Sequence, residues 1–373
     1  MPDPAQSHRP SATSATASAA AADSDAAPTT AGRATGNITM NDVARHAGVS
    51  LKSVSRVINR EPHVSDTLRI KVEKAIADLD YVPDLAARSL AGARSFIISV
   101  LFDNPSPNYT MKIQAGAYQA CVDNQYHLRI DRIDSARPDA EIVADLAALL
   151  RNGRCDGFVL TPPLADLPVV LDFLREQGVR HVRVAPEKPS LEAPGIGMDD
   201  TAAGAAVAQM LWQAGHRRFG VLTGPPNHGA AARRRLGFLA ALADLGHSGP
   251  VVEANGGFSF EGGISAGADL LAHTPRPTAI FATNDDSAAG ALVACSRAGL
   301  AVPRDVSICG FDDSWVARSV WPYLTTVYQP IQEMSYAAAS LLMDREGDAA
   351  PALRLLPYHL VERDSIAPPL PEA

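Results

Sequence analysis

The spacing of apolar residues changes character once along the chain. Between residues 37 and 94 it follows three- and four-residue steps. Thr39 is a candidate N-cap, and Val43, Ala44 and Ala47 share one face of a helix predicted over Met40–Ala47. Gly48 can supply the positive φ of a tight turn, and Ser50 caps a second helix reaching Asn59, with Val54, Val57 and Ile58 as its inward stripe. Ser65 caps a third, carrying Leu68, Val72, Ala75, Ile76 and Leu79. Two helices joined by a short Gly-containing turn are the signature of a helix-turn-helix.

From Phe96 the period shortens. Apolar runs at 96–102, 127–133, 157–162 and 181–186 precede a Gly195-Ile196-Gly197 crossover. A second series follows at 219–224, 251–255, 279–284 and 306–311. Amphipathic stretches of helical length separate most of these runs, as βαβ units require. The expected fold class is therefore α/β: an all-α headpiece followed by a two-lobed, doubly wound body, with ligands bound in the crevice outside the strands' carboxyl ends.

Charge and composition sharpen this division. The 373 residues carry a net −8, which argues against coating nucleic acid by overall charge. Residues 37–94 nevertheless hold nine basic and seven acidic groups, so a mildly basic unit precedes an acidic body. Of the first 36 residues, 26 are Ala, Ser, Thr or Pro, which bury too little area to order a tail and lack the Leu/Val-rich run of a signal peptide. Cys121, Cys155, Cys295 and Cys309 are widely spaced, without CxxC or zinc-ligand spacing. A reduced, cytoplasmic compartment fits, with no metal, no cofactor and no membrane segment expected.

The segment Ser50–Asn59 carries the strongest chemical signal. Lys52 and Arg56 share a helical face with Leu51 beside them; Arg can fork onto guanine, and Ser50, Ser55 and Asn59 can meet phosphate oxygens. Alone, the segment could equally be an ordinary solvated helix. Its context decides. Ile38–Ala44, Ala47–Ser50, Val54–Asn59, Tyr81–Asp84 and Ala87–Gly92 together closely resemble the headpiece of the lactose/galactose repressor (LacI/GalR) family, and the likeness runs from residue 38 to about 365. The resemblance implies a DNA-facing set that also includes Thr39, His63 and Ala87, and a hinge helix in which Leu90 wedges into the minor groove. The other reading of that hinge is a linker with a chance leucine.

In the body, Asp103, Asn104 and Tyr109 follow the first strand, and Asp199 follows the crossover. Arg234 opens a helix, Phe258 follows the 251–255 run, and Asn284, Asp285, Asp312 and Asp313 end the last two strands. Carboxylates, amides, one Arg and a flat ring suit a polyol. The resemblance assigns Asp199, Arg234, Phe258, Asn284 and Asp312 to effector contact. Asp199 and Asn284 could instead cap helices, and Tyr109 could be core. Gly224–Gly229 has the glycine spacing of a phosphate loop but is followed by Ala230 and Ala231 instead of Lys and Ser/Thr; no nucleophile–base set is readable, so no enzyme is expected. The sequence reading is a sugar-responsive regulator, a homodimer on palindromic operator DNA, with a C-terminus lacking a leucine heptad. A periplasmic-type receptor is the alternative, but it needs a secretion signal and no headpiece. The expected divisions are a tail (1–36), headpiece (37–83), hinge and linker (84–95), effector and dimerisation body (96–365) and C-terminal tail (366–373).

Overall fold

The computed structural model describes residues 38–58, 63–81, 94–190, 192–344 and 352–371. The chain divides into two compact units, Met1–Pro83 and Asp84–Ala373.

In the first unit, α1 (Met40–Ala47), α2 (Leu51–Ile58) and α3 (Asp66–Asp78) enclose a small core of Val43, Ala47, Val54, Val57, Val72 and Ala75, closed by Tyr81. The predicted caps are present. Gly48 takes φ 62 and bonds back to the carbonyls of Ala44 and Arg45, ending α1 in the left-handed conformation that glycine adopts without strain. Ser65 Oγ accepts from Leu68 N at 3.4 Å, and Asp78 on α3 receives both His46 (3.2 Å) and Lys74 (2.7 Å).

The second unit has two lobes. In the first lie β1 (Ile97–Phe102), α4 (Pro107–Asn124), β2 (His127–Arg132), α5 (Asp139–Asn152), β3 (Phe158–Leu160), α6 (Pro168–Glu176), β4 (His181–Val184) and β5 (Gly195–Gly197). The second contains α7 (Asp200–Gln213), β6 (Phe219–Thr223), α8 (Gly229–Asp244), β7 (Val251–Asn255), α9 (Phe260–Leu271), β8 (Ala279–Ala282), α10 (Asp285–Arg297) and β9 (Ser307–Cys309). The strands follow the predicted runs. Gly195–Gly197 differs: it forms β5, because Arg183 and Val184 of β4 pair with it on one side. The sequence reading also omitted β10 (Thr326–Tyr328), α11 (Ile331–Met343), β11 (Leu353–Leu355) and β12 (His359–Val361).

These late elements lace the lobes together. β11 completes an all-parallel first sheet ordered β11-β5-β4-β3-β1-β2, and α11 packs on α4 beneath it. The second sheet, β7-β6-β8-β9, is also parallel, and β10 pairs antiparallel with β12 beside it. The chain therefore crosses between lobes three times, after β5, after β10 and after β11. Within the expected C-terminal tail, Ala367 is tied to β9: its N–H donates to Ser307 Oγ at 3.0 Å, and that hydroxyl donates to Ala367 O.

The central strands are covered on both faces, so β1, β3 and β8 read as continuous apolar runs. Phe219, Phe238, Phe281 and Phe311 fill the second lobe; Ile98, Val100, Ile113 and Met334 fill one face of the first. Among the described residues no helix is long and apolar enough to cross a membrane, and no His, Cys, Asp and Glu group could hold a metal ion. The four cysteines are unpaired thiols.

Candidate functional sites: an exposed helix and an interlobe cavity

On α2 the core residues Val54, Val57 and Ile58 leave the opposite face to solvent. Leu51 is 45% exposed, Lys52 and Ser50 are exposed, and Ser55 and Arg56 are half-buried. Ser50 caps this helix, its Oγ accepting from Ser53 N at 3.1 Å. Arg56 Nη2 donates to the carbonyl of His63 at 3.4 Å, so two of the expected DNA-facing residues meet. Thr39 is different. Its N–H and its hydroxyl both donate to Asp42 (2.9 and 2.6 Å), which holds the Asp42 carboxyl below its usual range. The hydroxyl proton is committed to the helix cap, leaving Thr39 an acceptor rather than a phosphate donor. Asn59, Ala87 and Leu90 lie outside the described residues.

The cleft of the second unit narrows to a small polar pocket lined by Asn104, Ser106, Tyr109, His228, Arg234, Phe258, Asn284 and Asp312. Six of the eight residues expected at the effector site thus converge. Two do not. Asp199 is exposed and caps α7, its Oδ1 accepting from Ala202 N at 2.9 Å. The helix start turns the next residue, Asp200, inward instead. Asp103 is taken by Ser135, whose N–H and hydroxyl bond its Oδ2 at 2.8 and 2.6 Å.

Arg234 is the hub. It is buried, and its Nε donates to Asp200 (2.9 Å), its Nη1 to the Thr283 carbonyl (2.8 Å) and its Nη2 to Gln329 Oε1 (2.8 Å), while Asp312 lies 3.5 Å from Nη1. Its guanidinium stacks on Phe311 at 3.7 Å. A planar fork held on every side projects a fixed geometry. Asn284 serves in both expected roles: Oδ1 caps α10 through Ser287 N (3.0 Å), Nδ2 holds the Phe258 carbonyl (3.2 Å), and the residue still lines the cavity.

His228 and Ser106 were not anticipated. The His228 Nδ1 accepts from Ala231 N at 3.4 Å as the cap of α8, which places the remaining proton on Nε2. Burial pushes its pKa down to about 3, so the ring is neutral, and Nε2 is buried without a partner. Tyr109 OH is likewise buried and unpartnered, its pKa raised chiefly by burial. The signal missed was cap chemistry: Ser106 and His228 each sit immediately before a helix whose N-terminus faces the cleft.

Strain accompanies this polarity. Phe258 has φ 58 and Asp312 has φ 106, conformations that non-glycine residues hold only when their surroundings enforce them. Phe258 lies edge-on to His228 at 4.9 Å. Burial raises the Asp312 carboxyl to about 8 despite the neighbouring Arg234, and Asp285, buried behind it with Thr326 Oγ1 (2.7 Å) and Ser314 N (2.7 Å) as donors, to about 7.

A helix-turn-helix unit followed by a two-lobed body with a polar interlobe cavity defines a ligand-binding DNA-binding regulator. Residues 39–84 match the model of bacterial regulatory proteins of the lacI family, and residues 208–366 that of the periplasmic binding protein-like domain. The chain is 34% identical to the ribose operon repressor of Haemophilus influenzae over 310 residues, 82% of this chain and 91% of that protein. It is similar in structure to the Lac repressor dimer bound to operator and an anti-inducer (TM-score 0.70, 27% identity, 89% of this chain, 100% of the other). A LacI-family regulator from Enterococcus faecium with bound ribose has TM-score 0.64 and 26% identity over 73% of this chain and 99% of that one. The chain belongs to the LacI family: it is a DNA-binding transcriptional repressor with a ligand-binding body, not an enzyme.

Proposed function

We propose that this protein acts in the cytoplasm as a homodimer, represses transcription from a palindromic operator, and is controlled by a sugar bound between its lobes. Leu51, Lys52 and Arg56 read the operator half-site, with Ser50, Ser55, Asn59 and His63 on the backbone; two-fold symmetry of the dimer matches the two half-sites. Asn104, Tyr109, His228, Arg234, Phe258, Asn284 and Asp312 bind the effector.

One observation carries the effector reading. In the interlobe pocket, His228 Nε2–H and Tyr109 OH are buried with no partner, beside the carboxyl of Asp312 and the amide of Asn284. Buried polar atoms left unpaired are costly, and ring hydroxyls, each both donor and acceptor, satisfy this mixed set. That a relative is a ribose operon repressor and that a structural neighbour holds ribose support the same class.

The effector changes the pose of the lobes, and through the hinge the affinity for operator, by a coupling of about 1–3 kcal/mol. Selection of sheared genomic DNA on the purified protein at near-physiological salt, where non-specific phosphate binding is weak, tests the reading. A recurrent palindrome whose capture changes on adding pentoses or hexoses is expected; binding indifferent to sequence and to every sugar overturns it.

A further inference from the structure

One turn of the second lobe is held from both sides of the cleft. Asp312 and Asp313 are consecutive non-glycine residues at positive φ, 106 and 42. Backbone of this kind costs free energy and persists where its surroundings over-determine it. The second lobe supplies part of that hold. Asp312 N donates to the Val327 carbonyl (2.9 Å), Asp313 N to Thr326 Oγ1 (3.4 Å), and Arg363 Nη2 to the Asp313 carboxylate (2.5 Å).

The rest crosses the cleft. The half-buried Lys112, on α4 of the first lobe, donates through Nζ to the carbonyl oxygens of both Asp312 (2.7 Å) and Asp313 (2.9 Å). Successive carbonyls of an extended strand point in opposite directions. The positive φ of Asp313 brings both oxygens within reach of one ammonium. Tyr109, one helical turn before Lys112, lines the interlobe pocket, as does Asp312; Lys112 meets Asp312 at its main chain and is not part of that lining. Other contacts also close the lobes: Asp286 accepts from Ser106 Oγ and Asn108 Nδ2, both at 2.5 Å, and Arg233 donates to the Glu187 carbonyl (2.7 Å). These do not bond the 312–313 turn.

We propose that Lys112 is a positioning residue that couples effector binding to the pose of the lobes, by holding the strained 312–313 turn in the conformation that presents the Asp312 side chain to the effector. This rests on the sugar reading above and names the residue through which that site signals. When the lobes part, Lys112 leaves both carbonyls, the turn relaxes, and the Asp312 side chain moves away from Arg234 and Asn284. Lobe closure and effector contact require the same turn conformation, so an effector that uses Asp312 favours the closed pose. The coupling runs through carbonyl oxygens and holds for either protonation state of the Asp312 carboxyl.

Operator binding by the full-length protein, with and without sugar, tests this on the palindrome recovered by the genomic selection. The first probe is D-ribose, followed by other pentoses and hexoses. Lys112→Met keeps the side-chain length and removes the donors. It should change the operator affinity of the sugar-free protein roughly fivefold, in either direction. It should also weaken calorimetric sugar binding about tenfold and, at saturating sugar, less than half of the wild-type operator response should remain. Lys112→Gln, shorter and uncharged, repeats the test, and Lys112→Arg, whose fork can reach both carbonyls, should restore most of each property; thermal melting checks that every variant is folded. Folded Met and Gln variants with wild-type operator binding and response overturn the proposal. So does a full operator response at saturating sugar in a variant that merely binds sugar weakly, or a loss that Lys112→Arg shares in full. Failure of the sugar reading looks different: no sugar then gives heat with the wild type, and the sugar-free operator affinity of Lys112→Met still decides whether the turn sets the lobe pose.

Discussion

At the scale of single residues, function rests on side chains whose surroundings fix both their orientation and their protonation. Arg56 is anchored to the His63 carbonyl, so the proposed base contact would be made from a restrained position. Arg56→Ala should weaken operator binding by about 1–3 kcal/mol and relax preference at one base position, measured by competition among singly substituted operators. The Asp200–Arg234 pair is buried on both sides, at 0% and 3% side-chain exposure. Removing one partner strands the other charge; Asp200→Ala should therefore lower stability by about 3–5 kcal/mol in urea unfolding and abolish sugar binding with it. Asp285 and Asp312 give a pH signature. Burial raises both carboxyls far above the ordinary carboxylate range, to about 7 and about 8, so the folded state holds these protons more tightly than the unfolded chain. Their contribution is complete below about pH 4 and is lost as pH rises towards 8. Urea midpoints at pH 5 and pH 8 should therefore differ less in Asp285→Asn than in the wild type. The amide can still accept from Ser314 N and donate to Thr326 Oγ1.

At the scale of elements, helix pairs in close contact place the site. A Cβ on Gly204 of α7 would lie 2.0 Å from the Arg234 carbonyl of α8, and one on Gly237 of α8 would lie 2.0 Å from the Thr201 carbonyl of α7. The two backbones touch at reciprocal points, and this contact sets the depth at which Arg234 enters the cleft. Gly204→Ala should destabilise the body by about 1–3 kcal/mol and, because the clash falls on residue 234 itself, lower sugar affinity more than an equally destabilising substitution elsewhere in the lobe, read by calorimetry and urea unfolding together. Elements were the most legible part of the sequence. The 3.6 period and caps of α1 to α3 and the apolar runs of β1 to β4 and β6 to β9 all lie where expected. β5, β10, β11 and β12 were not legible, because strands of three residues are too short to show a period and exist only through the neighbours that pair with them.

At the scale of the whole molecule, the proposed link between effector and operator binding starts from how the two lobes meet. The lobes meet through Ser106 and Asn108 on Asp286, Lys112 on the 312–313 carbonyls and Arg233 on the Glu187 carbonyl (2.7 Å), so closure engages polar contacts on several sides of the cavity. Leu90→Ala should weaken binding to a specific operator more than to non-specific DNA, because only a kinked complex uses an apolar wedge; equal losses in titrations on both DNAs would remove Leu90 from that role. The DNA-binding headpiece and two-lobed α/β body were legible from period, caps and the ordered headpiece motifs, since these are local properties that a residue carries with its neighbours. So were Asn104, Tyr109, Arg234, Phe258, Asn284 and Asp312, because parallel sheets direct their strand ends and the following helices into one crevice. Which of two adjacent aspartates faces inward, Asp199 or Asp200, and that Asp103 answers to Ser135, were decided only by tertiary packing. So was the meeting of Ser106, Asn108 and His228 with residues more than a hundred positions away. Direction and partnership of a polar side chain depend on what the fold brings opposite it, and no period or spacing along the chain encodes that.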